Sequence, residues 1–274
     1  MPELPEVETI VRQLKSRARG KKISRVKVLD AKAVNLRVKD FENRVRGKII
    51  KDIKRRAKVI IWGLSSKKFL IFHLKLNGRI LWTKDMAVPR KKTRVVFDLA
   101  GNNKIFFDDS RRFAWVRFLD KKGLDAYFKK QNFGPEPLKK SFTSRVFKKM
   151  LARRPNSKIK PLLMDQKFIA GIGNIYAQEA CFYAGIRPMR VVKTLEDKEI
   201  KKLYQGIKRI LSEAVRQQGT SSDVYVNFFG KQGGYVAELK VYGREGKKCQ
   251  RCGTIIKVTK LAGRGTRYCP GCQK

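Results

Sequence analysis

Met1-Pro2-Glu3-Leu4-Pro5-Glu6-Val7-Glu8 opens the chain, and Val7, Ile10, Val11 and Leu14 follow at i, i+3, i+4 and i+7, the apolar stripe of an amphipathic helix. Pro5 suits the first helical position, where a missing N–H costs nothing. On helix signals alone, Pro2 and Pro5 simply start that helix. A second reading is chemical. Removal of Met1, usual before a small residue, leaves Pro2 with a secondary amine. A neutral secondary amine adds to an aldehyde-like carbon and gives an iminium ion. Glu3 places a carboxylate next to it. The positive end of the helix dipole disfavours another positive charge there, which favours the neutral, nucleophilic amine.

Beyond this helix, residues 23 to 119 read as strands. Short β-branched and aromatic runs cover 59–62, 69–74, 79–82, 94–99, 104–107 and 114–119, with turn signals at Asn77-Gly78 and Gly101-Asn102. Their spacing, without intervening helices, predicts an antiparallel sandwich. Gly134-Pro135-Glu136-Pro137 reads as a linker, after which the period becomes helical. Ser144 can cap a first helix, and segments 161–168 and 174–184 flank the glycine-rich Ala170-Gly171-Ile172-Gly173-Asn174. Thr194-Leu195-Glu196-Asp197 resembles a capping box ahead of a long helix bearing Ile200, Leu203, Ile207, Ile210 and Leu211. Residues 219–235 form a long polar loop, of a length that is usually functional or disordered. The fold class is therefore α+β, with expected divisions at 1–131 (sandwich and flanking helix), 132–145 (linker), 146–239 (helical) and 240–274.

The last segment is a metal module. Cys249-Gln250-Arg251-Cys252 and Cys269-Pro270-Gly271-Cys272 are two CxxC knuckles separated by 16 residues, spacing that suits one structural four-cysteine zinc ion. Two disulfides are the competing assignment. With four thiolates the coordination sphere is closed, so this zinc is not catalytic. Glycines on both sides of Arg264 allow a tight hairpin tip projecting that arginine.

Net charge is +43, from 66 Lys and Arg against 23 Asp and Glu, which favours polyanionic partners. The basic residues are spread along the whole chain, which suits a long nucleic-acid track. Neither a run long enough to span a membrane nor a secretory signal is present in the sequence. The cysteine pattern suits a reducing cytoplasm.

Four motifs, in order, carry a resemblance: Pro2-Glu3-Leu4-Pro5-Glu6-Val7-Glu8-Thr9, Asp109-Ser110-Arg111-Arg112-Phe113, Gly171-Ile172-Gly173-Asn174-Ile175-Tyr176-Ala177 and Gly263-Arg264-Gly265-Thr266-Arg267-Tyr268-Cys269-Pro270-Gly271-Cys272. Together they resemble the formamidopyrimidine-DNA glycosylase family, and the likeness runs over nearly the whole chain. The resemblance implies an N-terminal β-sandwich with its helix, a helix-two-turn-helix domain and a C-terminal zinc-finger hairpin. It implies a monomeric bifunctional glycosylase and lyase on duplex DNA containing oxidised purines or abasic sites, bent in a cleft, with the nucleotide everted and the strand cut by β,δ-elimination through a Pro2 Schiff base. Taking a base out of the stack leaves a gap to be filled, and a planar arginine with an aromatic wedge suits that task.

By the same resemblance Glu3 is an acid toward the sugar, Lys58 a proton donor during strand cleavage, and Arg264 assists the final elimination. Arg111, Phe113 and Leu76 fill the void, Arg112 and His73 touch the DNA backbone, and Asn174 contacts the phosphate at the lesion. Glycine-rich backbone at a helix start suits a phosphate without the family. Arg154 and Lys160 are further candidates for backbone contact. This chain departs from the family's pattern at Leu76 (usually methionine), Lys92 (often a DNA-contacting histidine), Ser110 (proline) and Ala114 (glycine). Asn227-Phe228-Phe229-Gly230, within the family's lesion-capping loop, is unusually aromatic. Alternatives are the sister glycosylases for oxidised pyrimidines, a zinc-containing DNA-binding protein without chemistry, and an RNA-associated zinc-ribbon protein.

Counterion release makes phosphate-dominated binding fall linearly with salt on a log–log scale, by roughly three to five decades between 50 and 200 mM for six to ten contacts. Duplex affinity of this chain should follow that steep slope in a fluorescence-anisotropy titration; a flat dependence would contradict a phosphate track.

Overall fold

The computed structural model describes residues 1–84, 88–221 and 225–274. It divides into two compact units, one of residues 1–132 with 218–234, the other of 133–217 with 235–274.

The first unit begins with α1 (Leu4–Ala18), whose Val7, Ile10, Val11 and Leu14 are all buried. Leu4, not Pro5, is its first residue, and Glu3 is the N-cap. Two four-stranded antiparallel sheets follow, assembled from β1 (Ile23–Val28), β2 (Ile50–Arg56), β3 (Val59–Leu64), β4 (Lys68–His73), β5 (Arg79–Lys84), β6 (Thr93–Leu99), β7 (Asn103–Asp108) and β8 (Trp115–Asp120). Their orders are β1-β6-β7-β5 and β2-β3-β4-β8. The expectation of strands without an intervening helix fails at α2 (Val38–Val45), which is held by only two buried residues, Phe41 and Val45. A further helix, α3 (Lys121–Gln131), closes the run, capped by the Asp120 carboxylate on the Gly123 N–H.

Aromatic packing fills the core. Trp62 lies 4.8 Å from Phe72 and 5.4 Å from Phe97, and Phe72 lies 5.7 Å from Phe107, ring centroid to centroid. These residues come from both sheets and are fully buried. Asn77-Gly78 does not join paired strands, because β4 and β5 belong to different sheets; the turn carries the chain from one sheet to the other. A Cβ at Gly78 would meet the Leu74 carbonyl oxygen at 2.5 Å and the Ala114 Cβ at 2.7 Å, so only glycine fits.

Residues 218–234 return to this unit. Phe228 is fully buried in the sandwich core, its N–H donates to Gln13 Oε1 at 2.9 Å, and its carbonyl accepts from the Trp82 N–H at 2.9 Å. The Asn227 carboxamide oxygen accepts from the N–H groups of Phe229 and Lys231. Phe228 is thus an anchor for the loop. Of the loop expected to cap a lesion, residues 222–224 lie outside the described residues.

The second unit holds α4 (Ser144–Ala152), α5 (Ile159–Met164), α6 (Asn174–Ala184) and α7 (Asp197–Arg216), then the hairpin β9 (Lys257–Leu261) and β10 (Arg264–Tyr268). Helix starts differ slightly from expectation. Thr143, not Ser144, caps α4 through the Val146 N–H. Glu196 and Glu199 form the capping box of α7, while Val192–Thr194 is a 3-10 turn. In both places a neighbour offers a better-placed acceptor than the residue singled out by pattern. No helix among the described residues is long and apolar enough to cross a membrane.

Candidate active site

At the N-terminus Pro2 and Glu3 are both buried. Glu3 and Glu6 form a reciprocal capping box: the Glu3 carboxylate accepts from the Glu6 N–H, and Glu6 Oε2 accepts from the Glu3 N–H at 2.8 Å. Glu6 is only 2% exposed, and its other oxygen accepts the Thr220 N–H at 2.8 Å. Gly219 (φ +87°) makes this approach possible, since a Cβ there would lie 2.9 Å from Glu6 Oε1. The Tyr225 hydroxyl donates to the Glu6 carbonyl at 3.4 Å. A single buried carboxylate therefore holds the start of α1 and the flank of loop 218–234 together.

Lys58 lies in the two-residue turn between β2 and β3, beside Ala57 in the left-handed region (φ +52°). Arg55 fixes that turn. Its guanidinium donates to the Ala57 carbonyl and to Glu8 of α1, both at 2.9 Å. Burial pushes the Glu8 carboxyl up, but hydrogen bonds from Arg55 and Arg12 outweigh it and hold it below the usual range. Lys58 is 5% exposed.

Two neighbouring turns carry the expected void-filling side chains. In the first, the Lys75 N–H donates to His73 Nδ1 at 2.9 Å, which leaves Nε2 to carry the proton of the neutral ring. Burial, then the ammonium groups of Lys75 and Lys58, push His73 down to about 3. Leu76, three residues beyond His73 in this turn, is half-buried. The second turn is organised by Asp109, 1% exposed. Its carboxylate accepts from the N–H groups of Arg111 (3.0 Å), Phe113 (2.7 Å) and Ala114 (2.7 Å). Phe113 is left 55% exposed, with the Arg111 guanidinium 5.7 Å from its ring centroid. Arg112 (φ +58°) turns the other way and donates to Asp30 at 2.7 Å. The hydrogen bond from Arg112 is the main reason that the Asp30 carboxyl lies low. The two turns touch: Asn77 donates to the Ser110 hydroxyl at 3.4 Å. Lys92 is half-buried, and its carbonyl accepts the Asp109 N–H.

In the second unit Asn174 is the first residue of α6, after Gly173 as N-cap. Its carboxamide oxygen is buried without a partner. The preceding turn is shaped by Gln166, which donates to the Met164 and Ile172 carbonyls and accepts from the Gly171 N–H. Arg154 is exposed. Lys160, expected to contact the DNA backbone, is fully buried and donates to Thr266 Oγ1 at 2.8 Å. Arg264 is exposed but does not form the tip. Ala262 and Gly263, both at positive φ, make the turn, and Arg264 is the first residue of β10, opposite Leu261.

The Sγ atoms of Cys249, Cys252, Cys269 and Cys272 all lie within 4.8 Å of one another. Cys249 and Cys272 are 3.8 Å apart, Cys252 and Cys269 3.5 Å. Thiolates about 2.3 Å from a tetrahedral zinc are separated by roughly 3.8 Å, so the cluster fits one zinc ion. Backbone N–H groups of Arg251 and Cys272 point at the Cys249 and Cys269 sulfurs, each at 3.4 Å.

Residues 1–116 match the model of the formamidopyrimidine-DNA glycosylase N-terminal domain, 133–226 that family's H2TH domain, and 246–274 a zinc finger found in FPG and IleRS. The chain is 40% identical to the formamidopyrimidine-DNA glycosylase of Pelotomaculum thermopropionicum, over 100% of this chain and 99% of the relative. It is 41% identical to that of Carboxydothermus hydrogenoformans over the whole of both. The chain belongs to the formamidopyrimidine-DNA glycosylase family. Among solved structures, a Lactococcus lactis FPG mutant in complex with Fapy-dG containing DNA superposes with a TM-score of 0.93 at 34% identity, covering 100% of both chains. A MutM structure in complex with carbocyclic 8-oxo-G containing DNA gives 0.92 at 34%, again over 100% of both.

The four-cysteine cluster is the zinc-finger site, and a zinc ion held there would tie together the two ends of the β9–β10 hairpin. Sequence reasoning gave no role to Glu6, Asp109 or Gln178. Glu6 carried a readable signal, since Glu3 and Glu6 have capping-box spacing.

The depressed His73 has a stability consequence. Unfolded, histidine takes up a proton near pH 6.5; folded, His73 does so only at about 3. In that window the unfolded state binds more protons, so stability is full above 6.5 and falls as pH drops toward 3. Urea unfolding at pH 7.5 and 5.0 should show a smaller loss for His73→Gln than for the parent chain; equal losses would contradict a ring held neutral in the folded chain.

Proposed function

We propose that this chain excises oxidised purines, 8-oxoguanine and formamidopyrimidines, from duplex DNA and nicks the strand at the resulting or pre-existing abasic site. Full-length membership of the glycosylase family, with Pro2 and Glu3 at a buried helix start, carries this reading. Related proteins have been solved with Fapy-dG, carbocyclic 8-oxo-G and abasic-site DNA.

After loss of Met1, the Pro2 nitrogen attacks C1′ of the damaged nucleotide as the bond to the base breaks. Glu3 acts as acid toward the sugar, whose ring opens as the nitrogen forms an iminium. Covalent capture divides one difficult displacement into easier steps. The iminium acidifies the C2′ hydrogen, so the 3′ phosphate leaves by β-elimination and the 5′ phosphate by δ-elimination. Lys58 donates a proton in this sequence, and Arg264 assists its last step. No bond is made to the zinc at any stage.

Binding is divided between the units. Leu76, Arg111 and Phe113 occupy the space vacated by the everted nucleotide, while His73 donates a neutral N–H to phosphate, with Lys92 and Arg112 as cationic contacts. Asn174, with Arg154, holds the strand from the helical side. Leucine is a stiffer wedge than methionine, so the partner-base preference is set in part by Leu76. In this reading residues 1–131 carry catalysis, 132–145 link, 146–239 bear the helix-two-turn-helix together with the loop 218–234 that packs on the first unit, and 240–274 form the zinc finger. The setting this reading implies is a monomer acting on chromosomal DNA in the cytoplasm.

Incision of a duplex carrying one 8-oxoguanine opposite cytosine tests the proposal. The tag-free chain should give β,δ-product only with the lesion, and Pro2→Gly should lower base release and nicking while retaining lesion binding. Equal nicking of undamaged duplex, or undiminished activity of Pro2→Gly, would refute it.

A further inference from the structure

The hairpin bearing Arg264 has only two strands, and an isolated two-stranded ribbon is marginal in water. Its exact placement must come from outside it. One buried side chain of α6 supplies an edge partner. Gln178 is 0% exposed. Its Oε1 accepts the Arg267 N–H at 2.6 Å, and its Nε2 donates to the Gly265 carbonyl at 3.4 Å. A primary amide that pairs with the carbonyl of one strand residue and the N–H of the residue two further on imitates a peptide unit of a third strand. The same Nε2 donates to the Asn174 carbonyl at 2.6 Å. Gln178 therefore joins β10 to the first turn of α6, where Asn174 begins the helix.

The residue between the two clamped positions points inward. Thr266 is 0% exposed, accepts from Lys160 Nζ at 2.8 Å and donates from Oγ1 to the Arg264 carbonyl at 3.1 Å. The backbone of Arg264 is thus reached by a chain of hydrogen bonds that begins at a fully buried ammonium. Such chains are stiff when every member is satisfied. Arg264 itself remains exposed, so its guanidinium is free to move while its backbone is held.

We propose that Gln178 and Thr266 are positioning residues that fix Arg264 relative to the phosphate-binding start of α6. The hairpin and that helix start then act as one rigid body when the strand is engaged. This inference rests on the role given to Arg264 above. It predicts that loosening the clamp affects the last elimination more than the first covalent step, because only the last step calls on Arg264. Displacement of an assisting group by about 1 Å costs up to roughly a hundredfold in rate.

The test compares Gln178→Met (similar volume, no N–H donor and only a weak sulfur acceptor), Thr266→Val (same shape, no hydroxyl) and Thr266→Ser (hydroxyl kept) on duplex carrying an abasic site. The expected result is wild-type zinc content and wild-type yield of borohydride-trapped adduct in all three. δ-Elimination should slow by on the order of tenfold in Gln178→Met and Thr266→Val, with β-product accumulating, and Thr266→Ser should restore it. A purely structural role would lower thermal stability and leave the β-to-δ product ratio unchanged; that result overturns the proposal, as does an equal fall in both steps. If Gln178→Met does not fold with its zinc, Thr266→Val against Thr266→Ser makes the same comparison. Amide hydrogen exchange at residues 264–267 gives a readout independent of activity. Faster exchange in the Met or Val variant supports the clamp, and unchanged exchange overturns it. A wild-type chain that forms no adduct at all would sink the functional reading separately, with exchange still deciding the clamp.

Discussion

Two buried carboxylates at the first turn of α1 are the constraint on which the catalytic end depends. Isolated, each would be costly to take out of water. Here Glu3 and Glu6 cap each other's backbone N–H groups, at the end of the helix whose dipole favours negative charge. Glu6 then uses its second oxygen on Thr220, so the same group that orients the N-terminus also anchors the returning loop. Pro2 is held immediately before this structure, and its nucleophilic reading requires that placement. Removing the Glu6 carboxylate would leave N–H donors of Glu3 and Thr220 to find new acceptors, a change felt at both the N-terminus and the loop.

Scarce acids organising backbone is a wider theme in this chain, which has 23 Asp and Glu against 66 Lys and Arg. Asp109 gathers three N–H groups and so presents Phe113 outward. Glu179 on α6 gathers those of Lys240, Val241 and Tyr242, although its burial raises its pKa above the ordinary range despite those bonds. Asp30 collects Arg112. The basic residues, by contrast, mostly remain at the surface. The division is physical: a carboxylate accepts several N–H groups from a loop at once, whereas lysine can only donate. At the turns around Asp109 and Gln166 an acid or an amide side chain supplies the shape.

Much of this was legible in sequence because periodicity and spacing survive without a fold. The α1 stripe, the aromatic runs of β3 to β8 and the cysteine knuckles all declare themselves. β2, with its sequence Ile-Lys-Asp-Ile-Lys-Arg-Arg, and α2, with two buried residues, do not, because charges on the solvent face dilute the pattern. Wedge and nucleophile candidates were visible as motifs; their supports were not. A glutamate or aspartate in a sequence reads as solvated surface, and only the fold reveals the backbone N–H groups converging on Asp109 or Glu6. Lys160 shows the converse: a lysine read as a DNA-backbone contact has its ammonium buried against Thr266. Phe228 and Phe229 read only as an unusually aromatic loop, yet Phe228 is core and carries the loop.

The claim that matters most is that the amine of Pro2 is the nucleophile. The direct measurement is borohydride reduction of the chain with lesion-containing duplex, followed by protease digestion and mass spectrometry of the crosslinked peptide. The account predicts a sugar-derived mass on the N-terminal peptide, with Met1 absent and the modification on the Pro2 nitrogen. An adduct on a lysine such as Lys58, or an N-terminus that retains Met1 in fully active protein, would contradict it.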